Sequence, residues 1–268
     1  MNSLDMLAIA AVLLLGVPHG GLDGAVARRI GWPTGLMSWF GFHLAYVSLA
    51  VLVALLWWLF PLPSLSLFLL ISALHFGASD IADIGSDWLP WVAHGGLICI
   101  GIPSLQPALV EPIFAILVGA ENASLLMAGI ANLFLPWVVS ILGYCGYACL
   151  KIQYRKSSIS LLILAGLVSV LPPLISFALY FCLWHSRGHM LRLWRSLEQS
   201  ERQRTFREAM FYTAASWIAA GFIFYYLQGS TATSLVQLTF IGLAALTLPH
   251  MLLVDYADKK NKKEEALP

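Results

Sequence analysis

The segment Trp184-His185-Ser186-Arg187-Gly188-His189 carries two imidazoles four residues apart. On a helix that spacing is about 40° of rotation, so both rings share one face. Further histidines recur in apolar surroundings at His19, in Gly-Val-Pro-His-Gly-Gly-Leu-Asp, at His75, in Ala-Leu-His-Phe-Gly-Ala-Ser-Asp, and at His250, in Leu-Pro-His-Met-Leu-Leu-Val-Asp. An imidazole in hydrocarbon is costly unless a partner satisfies it, and a metal ion does so directly. Neutral nitrogen donors suit iron, zinc, copper or nickel. Zinc held by four imidazoles is tetrahedral and closed, whereas Fe(2+) in six-coordination keeps positions open for O2. An all-histidine site that is catalytic and has four ligands therefore points to iron with O2.

The residues around these histidines set out their expected roles. His185 and His189 are the strongest pair, and His19 and His75 join them as candidate ligands. Three roles are open to His250: fifth ligand, a donor behind the ligands, or a substrate contact. Asp23 follows His19 by four residues and shares its face, placed to accept the free N–H of a neighbouring imidazole. Asp80 and Asp255 each follow their histidine by five, about 140° around a helix, so each either holds a different ligand or marks a helix end. Phe76 and Trp184 are candidates to line a substrate tunnel. His43 and His94 have no repeated motif and read as scaffold, His94 beside an interfacial belt of Trp88 and Trp91.

The elements that must position these groups are membrane helices. Hydrophobic residues make up 59% of the chain and charged ones 11%, against about 25% charged in soluble domains. The expected fold is all-α: a polytopic helical bundle of about eight or nine transmembrane or half-membrane helices, with residues 1–258 as one domain and 259–268 as a charged cytoplasmic tail. Candidate spans are 4–24, 36–60, 64–83, 88–110, 124–150, 159–171, 173–194, 209–228 and 234–257. The sixth is short and stops at Leu171-Pro172-Pro173, where paired prolines remove donors and push the preceding residue out of helix. If that break is only a kink, the count is eight.

All fifteen Lys and Arg residues fall in four clusters, at 28–29, 151–156, 187–207 and 259–263. With nine segments every cluster lies on one side, which the positive-inside rule makes cytoplasmic, with the N-terminus outside and the C-terminus inside. Every histidine then sits in the cytoplasmic half of its span, a common depth that suits a single site. The net charge of +1 gives no footing for nucleic acid. Cys99, Cys145, Cys149 and Cys182 show no metal-knuckle or disulfide spacing. Gly20-Gly21 and Gly95-Gly96 are not phosphate loops. The N-terminus lacks the basic region of a secretory signal, so the first apolar run is expected to remain as a helix.

The series Gly-Val-Pro-His19-Gly-Gly-Leu-Asp23, His75-Phe-Gly-Ala-Ser-Asp80, Trp-His185-Ser-Arg-Gly-His189 and Leu-Pro-His250-Met-Leu-Leu-Val-Asp255 resembles the Brp/Blh family of bacterial and archaeal membrane β-carotene 15,15′-dioxygenases. The resemblance runs in order from about residue 16 to residue 256. It implies oxidative cleavage of β-carotene or a related carotenoid by O2 into two retinals, an Fe(2+) cofactor held by His19, His75, His185 and His189, an inner-membrane location, and a functional link to a rhodopsin. Between the last two histidines Arg187 stands one position earlier than in the family's pattern. Two other classes compete. A membrane carotenoid hydroxylase or desaturase uses dense histidine boxes with adjacent pairs, and this chain has no adjacent pair. A haem-binding electron carrier or a metal transporter would also place histidines within membrane helices.

Overall fold

The computed structural model describes residues 2–32, 35–85, 87–227 and 229–265. It is 91% helical, with no strand among the described residues. Ten helical segments follow one another: α1 (Ser3–Arg29), α2 (Leu36–Leu59), α3 (Pro61–Asp80), α4 (Trp88–Leu105), α5 (Pro107–Val118), α6 (Ala120–Leu150), α7 (Ile152–Val170), α8 (173–196), α9 (Gln199–Tyr226) and α10 (Thr231–Glu265). Seven of them, α1, α2, α3, α4, α6, α9 and α10, are long and apolar enough to cross a membrane. Large apolar side chains such as Leu36, Trp58, Val170 and Ile218 are exposed, as lipid contact allows. The chain is an integral membrane protein.

A helix stands at each of the nine expected places, with altered bounds. The sixth and seventh, α7 and α8, carry basic residues at one end, which shortens their apolar runs. The stretch 111–121, between two expected spans, is largely helix: Gln106 leaves the helical region ahead of Pro107 (φ −133°, ψ 52°), and α5 starts there. The arginine-rich stretch before residue 209 is helical too, so α9 begins at Gln199. The pair Pro172-Pro173 makes a break and not a kink, with Leu171 extended (φ −88°, ψ 146°). The proline nitrogens cannot cap the end of α7, so the Gln106 amide donates to the carbonyls of Val168 and Leu171 at 2.7 Å each. Ser176 Oγ adds a 3.0 Å bond to Leu171.

The chain divides into two compact units. The first comprises Met1–Ala11 and Phe60–Gly188. Its closest crossing joins α3 and α4 through small residues: a Cβ on Gly77 would collide with the Trp91 carbonyl and indole, and one on Gly95 with the backbone carbonyl of Ala73. Backbones this close are the usual solution where lipid offers no hydrophobic drive between helices. Trp91 Nε1 donates to the Leu74 carbonyl at 2.8 Å and Trp137 Nε1 to that of Ala93 at 3.0 Å, tying the turns beside His75 and His94. Outside the spans, the hydroxyls of Tyr154 and Tyr147 each donate to Asp87 at 2.7 Å. They hold its carboxyl below the ordinary carboxylate range, and the Lys151 ammonium, 4.7 Å from the Tyr147 ring centroid, acts in the same direction.

The second unit comprises Val12–Leu59 and His189–Pro268. Its core holds Leu22, Val26, Phe42, Leu193 and Leu253, with Trp39, Tyr46 and Met190 packed against them. Gly21 lets α9 approach, since a Cβ there would lie 2.8 Å from the Ala209 carbonyl; Gly20 faces open space and plays no such part. The Arg28 guanidinium bonds the Glu208 carboxylate and, at 3.1 Å, Thr205 Oγ1. Lys260 donates to the Ile30 carbonyl at 2.7 Å.

Two outcomes follow from this packing. Gly95→Val should destabilise the protein by about 3 kcal/mol through overpacking, whereas Gly41→Ala, where nothing lies within 4 Å, should add about 0.5–1 kcal/mol through helix propensity; thermal unfolding in detergent reads both. The depressed Asp87 pKa means its contribution is present above the ordinary carboxylate range and is lost as pH falls through the folded value. Wild-type protein should therefore lose more thermal stability than Asp87→Asn between about pH 5 and pH 2.

Candidate metal centre

In the first unit, His75 and His185 are buried side by side, with ring centroids 5.0 Å apart and planes at 71°. His75 comes from the last part of α3. His185 lies in α8 where the helix widens into π turns over Leu179–Ser186, a backbone form that recurs at functional sites. Phe76 packs edge-on against the His185 ring at 4.7 Å, and Phe181 stacks on it at 6.0 Å. Asp80 accepts a 2.8 Å hydrogen bond from Tyr180 and stands 3.5 Å from His185 Nδ1. It therefore faces the imidazole of another helix and not His75, five residues before it. Trp184 is 37% exposed and Asp255, in the second unit, is exposed as well.

His94, read as scaffold, is turned into the interior. It is 1% exposed, with Nε2 at 2.9 Å from Ser157 Oγ and Nδ1 at 3.8 Å from Asp80 Oδ2. Trp88 beside it is exposed, as an interfacial belt requires, but the helix turns His94 inward to the same buried carboxylate that faces His185. The signal available in the sequence was Gly95-Gly96, which marks a face of close helix approach.

In the second unit, His19, His189 and His250 come together. Their ring centroids are separated by 5.1 Å (His19 to His250), 5.3 Å (His189 to His250) and 6.1 Å (His19 to His189). His19 sits where α1 abandons regular winding: α-helix over Ser3–Ala11, π turns over Val12–Gly16, 3-10 turns over Val17–Leu22, then α-helix again from Asp23. Pro18 has no N–H to give the carbonyls a turn before it. The Trp217 indole donates to Leu13 O at 2.9 Å instead, and His19 Nδ1 takes Gly16 O at 2.5 Å.

That winding also moves Asp23. Over 3-10 turns, four residues cover about 120° of net rotation and not about 40°, so Asp23 does not share the His19 face. Its Oδ1 accepts from His250 Nδ1 at 2.6 Å, and its Oδ2 accepts from the Tyr46 hydroxyl at 2.7 Å. Tyr46, from α2, has no sequence signal beyond its aromatic type. His43 behaves as scaffold: Nδ1 contacts the Trp39 carbonyl at 2.7 Å and Nε2 the Tyr212 hydroxyl at 2.8 Å.

The donor chemistry fits a metal. His19 and His250 each place Nδ1 against a carbonyl or carboxylate oxygen, which fixes the proton there and leaves Nε2 with its lone pair; Asp80 does the same for His185 over a longer reach. Orienting a ligand through its far nitrogen is the usual arrangement behind metal-bound histidine. Among the described residues no group of three or more His, Cys, Asp or Glu side chains is drawn together closely enough to hold a metal ion as it stands.

Comparison with known proteins gives the family of the chain. A beta-carotene 15,15′-dioxygenase from an uncultured marine bacterium is 34% identical over 265 residues, covering 94% of this chain and 94% of its own. A probable beta-carotene 15,15′-dioxygenase, Blh, of Halobacterium salinarum is 28% identical, covering 94% of this chain and 83% of its own. No solved structure matches. The family model for beta-carotene 15,15′-dioxygenase matches residues 10–258, the whole stretch that carries the histidines, and the chain belongs to that family.

Proposed function

We propose that this protein cleaves the central 15,15′ double bond of β-carotene, or of a related carotenoid, with O2 to give two retinals. The observation that carries the reading is the set of buried imidazoles with fixed Nδ1 protons, in a chain whose relatives bear that activity in their names. The stoichiometry needs no further reductant: the carbon–carbon double bond breaks, and each oxygen atom of O2 ends in one aldehyde. His19, His75, His185 and His189 are the residues proposed to hold Fe(2+). When bound, the iron supplies open coordination and redox capacity for O2.

The chain's own residues do the rest. Asp23 and Asp80, whose side chains are both buried, put carboxylate charge one step behind imidazoles, which offsets the charge of a divalent ion that neutral ligands leave uncancelled. Phe76, Phe181 and Tyr180 surround His185 and keep water from it. A carotene has no polar handle and dissolves in the bilayer, so an enzyme built of lipid-exposed helices meets it there. Position along the polyene must then be selected by shape, with the substrate held so that the central bond lies beside the reacting centre.

The same reading puts the protein in the inner membrane, with the N-terminus outside and the C-terminus in the cytoplasm, serving a rhodopsin with retinal. The four basic clusters support that orientation. Helix α5 keeps the parity because its 12 residues reach only about 18 Å, short of a hydrocarbon core.

Expression in a β-carotene-producing bacterium should bleach the pigment and accumulate retinal, read by chromatography of cell extracts. Persistent colour with no retinal, under iron and oxygen sufficiency, would refute the activity. His185→Ala should drop the iron content of purified protein to background while leaving helix content unchanged; undiminished iron would remove His185 from the ligand set.

A further inference from the structure

We propose that His250 is a metal-donating imidazole, acting on the same ion as His19 and His189. The inference rests on the reading above that the protein is an iron enzyme, and it adds a donor to the four histidines that the family resemblance supplies.

Three observations carry it. The first is spacing. Two imidazoles bonded to one ion through Nε2, with bonds of ~2.1 Å, have centroids roughly 5 Å apart. His250 lies 5.1 Å from His19 and 5.3 Å from His189, nearer to each than those two are to one another at 6.1 Å. The planes meet at 88°, 78° and 81°, so each ring presents an edge to its neighbours instead of stacking upon them.

The second is the proton. A carboxylate only accepts, so the 2.6 Å contact with Asp23 fixes the His250 proton on Nδ1. Nε2 then carries the lone pair. Asp23 is itself held through its other oxygen by the Tyr46 hydroxyl. The sequence Tyr46, Asp23, His250 is thus a rigid support that ends in a nitrogen donor. If His250 served only to neutralise Asp23, a single buried contact would suffice, and nothing would require its ring to sit among two further imidazoles.

The third is placement. His250 is 3% exposed and follows Pro249 inside the 35-residue helix α10. Pro249 removes one helical hydrogen bond and loosens the helix at that turn, as Pro18 does immediately before His19.

The test uses full-length protein purified in detergent, loaded anaerobically with Fe(2+) or with Co(2+) as a spectroscopic probe. His250→Gln keeps an amide that can donate to Asp23 but removes the imidazole, so a role confined to hydrogen-bonding Asp23 survives the change and a ligand role does not. The expected result is at least about a hundredfold loss of metal affinity and shifted Co(2+) visible bands. Asp23→Asn and Tyr46→Phe, which leave His250 in place, should lower affinity by about tenfold, within the range for supports behind a ligand. His43→Gln should change neither affinity nor spectrum.

Wild-type affinity and a superimposable Co(2+) spectrum in His250→Gln would overturn the proposal while leaving the iron reading intact. A wild-type protein that takes up no stoichiometric metal would overturn both. Should His250→Gln fail to fold, Asp23→Asn and Tyr46→Phe decide the matter: reduced affinity supports the proposal and unchanged affinity overturns it.

Discussion

A polar nitrogen buried among apolar helices has to be satisfied from within the protein. Water is not at hand, and an unsatisfied polar group in such surroundings costs on the order of several kcal/mol. Around the histidines the structure answers this with oxygen acceptors on one side of each ring: Gly16 for His19, Asp23 for His250, Asp80 facing His185. Each acceptor fixes a tautomer and so decides which nitrogen is left to act. The same contacts justify the two carboxylates. Asp23 and Asp80 would be expensive in hydrocarbon if bare, and each is held by a tyrosine hydroxyl as well as facing an imidazole.

Irregular backbone is the second consequence. Regular α-helix commits each interior carbonyl to one of its own amides, so a side chain there can only share it. His19 obtains the Gly16 carbonyl because the helix passes through π and 3-10 turns there, and that irregularity is written in Gly16, Pro18 and the glycines that follow. The cost is carbonyls without amide partners. Trp217 meets one in α1, and Gln106 meets two at the end of α7. Side chains far away in sequence are thus committed to repairing backbone that the site and the helix breaks have opened.

What the sequence disclosed follows from where its signals are local. Apolar runs, their proline breaks and the basic clusters set the helices, because each is a property of a few neighbouring residues. The histidine motifs were legible for the same reason. Helix bounds moved where charged residues continue a helix beyond the apolar run, as at Gln199–Tyr226. Asp23 accepts from a neighbouring imidazole, as expected, but it does not share the His19 face, since its angular position depends on a local change of winding that regular helical spacing conceals. Tyr46 and Tyr180 were not legible at all, and the inward turn of His94 showed only in the neighbouring Gly95-Gly96. Each acts through a partner on another helix, and a tyrosine in an apolar run looks the same whether it meets lipid or a carboxylate.

Charge balance links these parts. A divalent ion surrounded only by neutral imidazoles carries its full charge into a low-dielectric interior, where an uncompensated charge is far costlier than in water. Placing carboxylates among the ligands would cancel that charge but would also occupy coordination positions that O2 chemistry requires. Placing them behind the imidazoles cancels much of it while leaving the ion's open face untouched, and it makes the ligating nitrogens more basic. Asp23 stands behind the buried His250 ring and Asp80 faces that of His185, which is where the proposed iron would need them. On this account the apolar surroundings that admit a carotene and the buried carboxylates that seem out of place among them are two sides of one requirement: neutral donors at the metal, with the compensating charge held one residue further out.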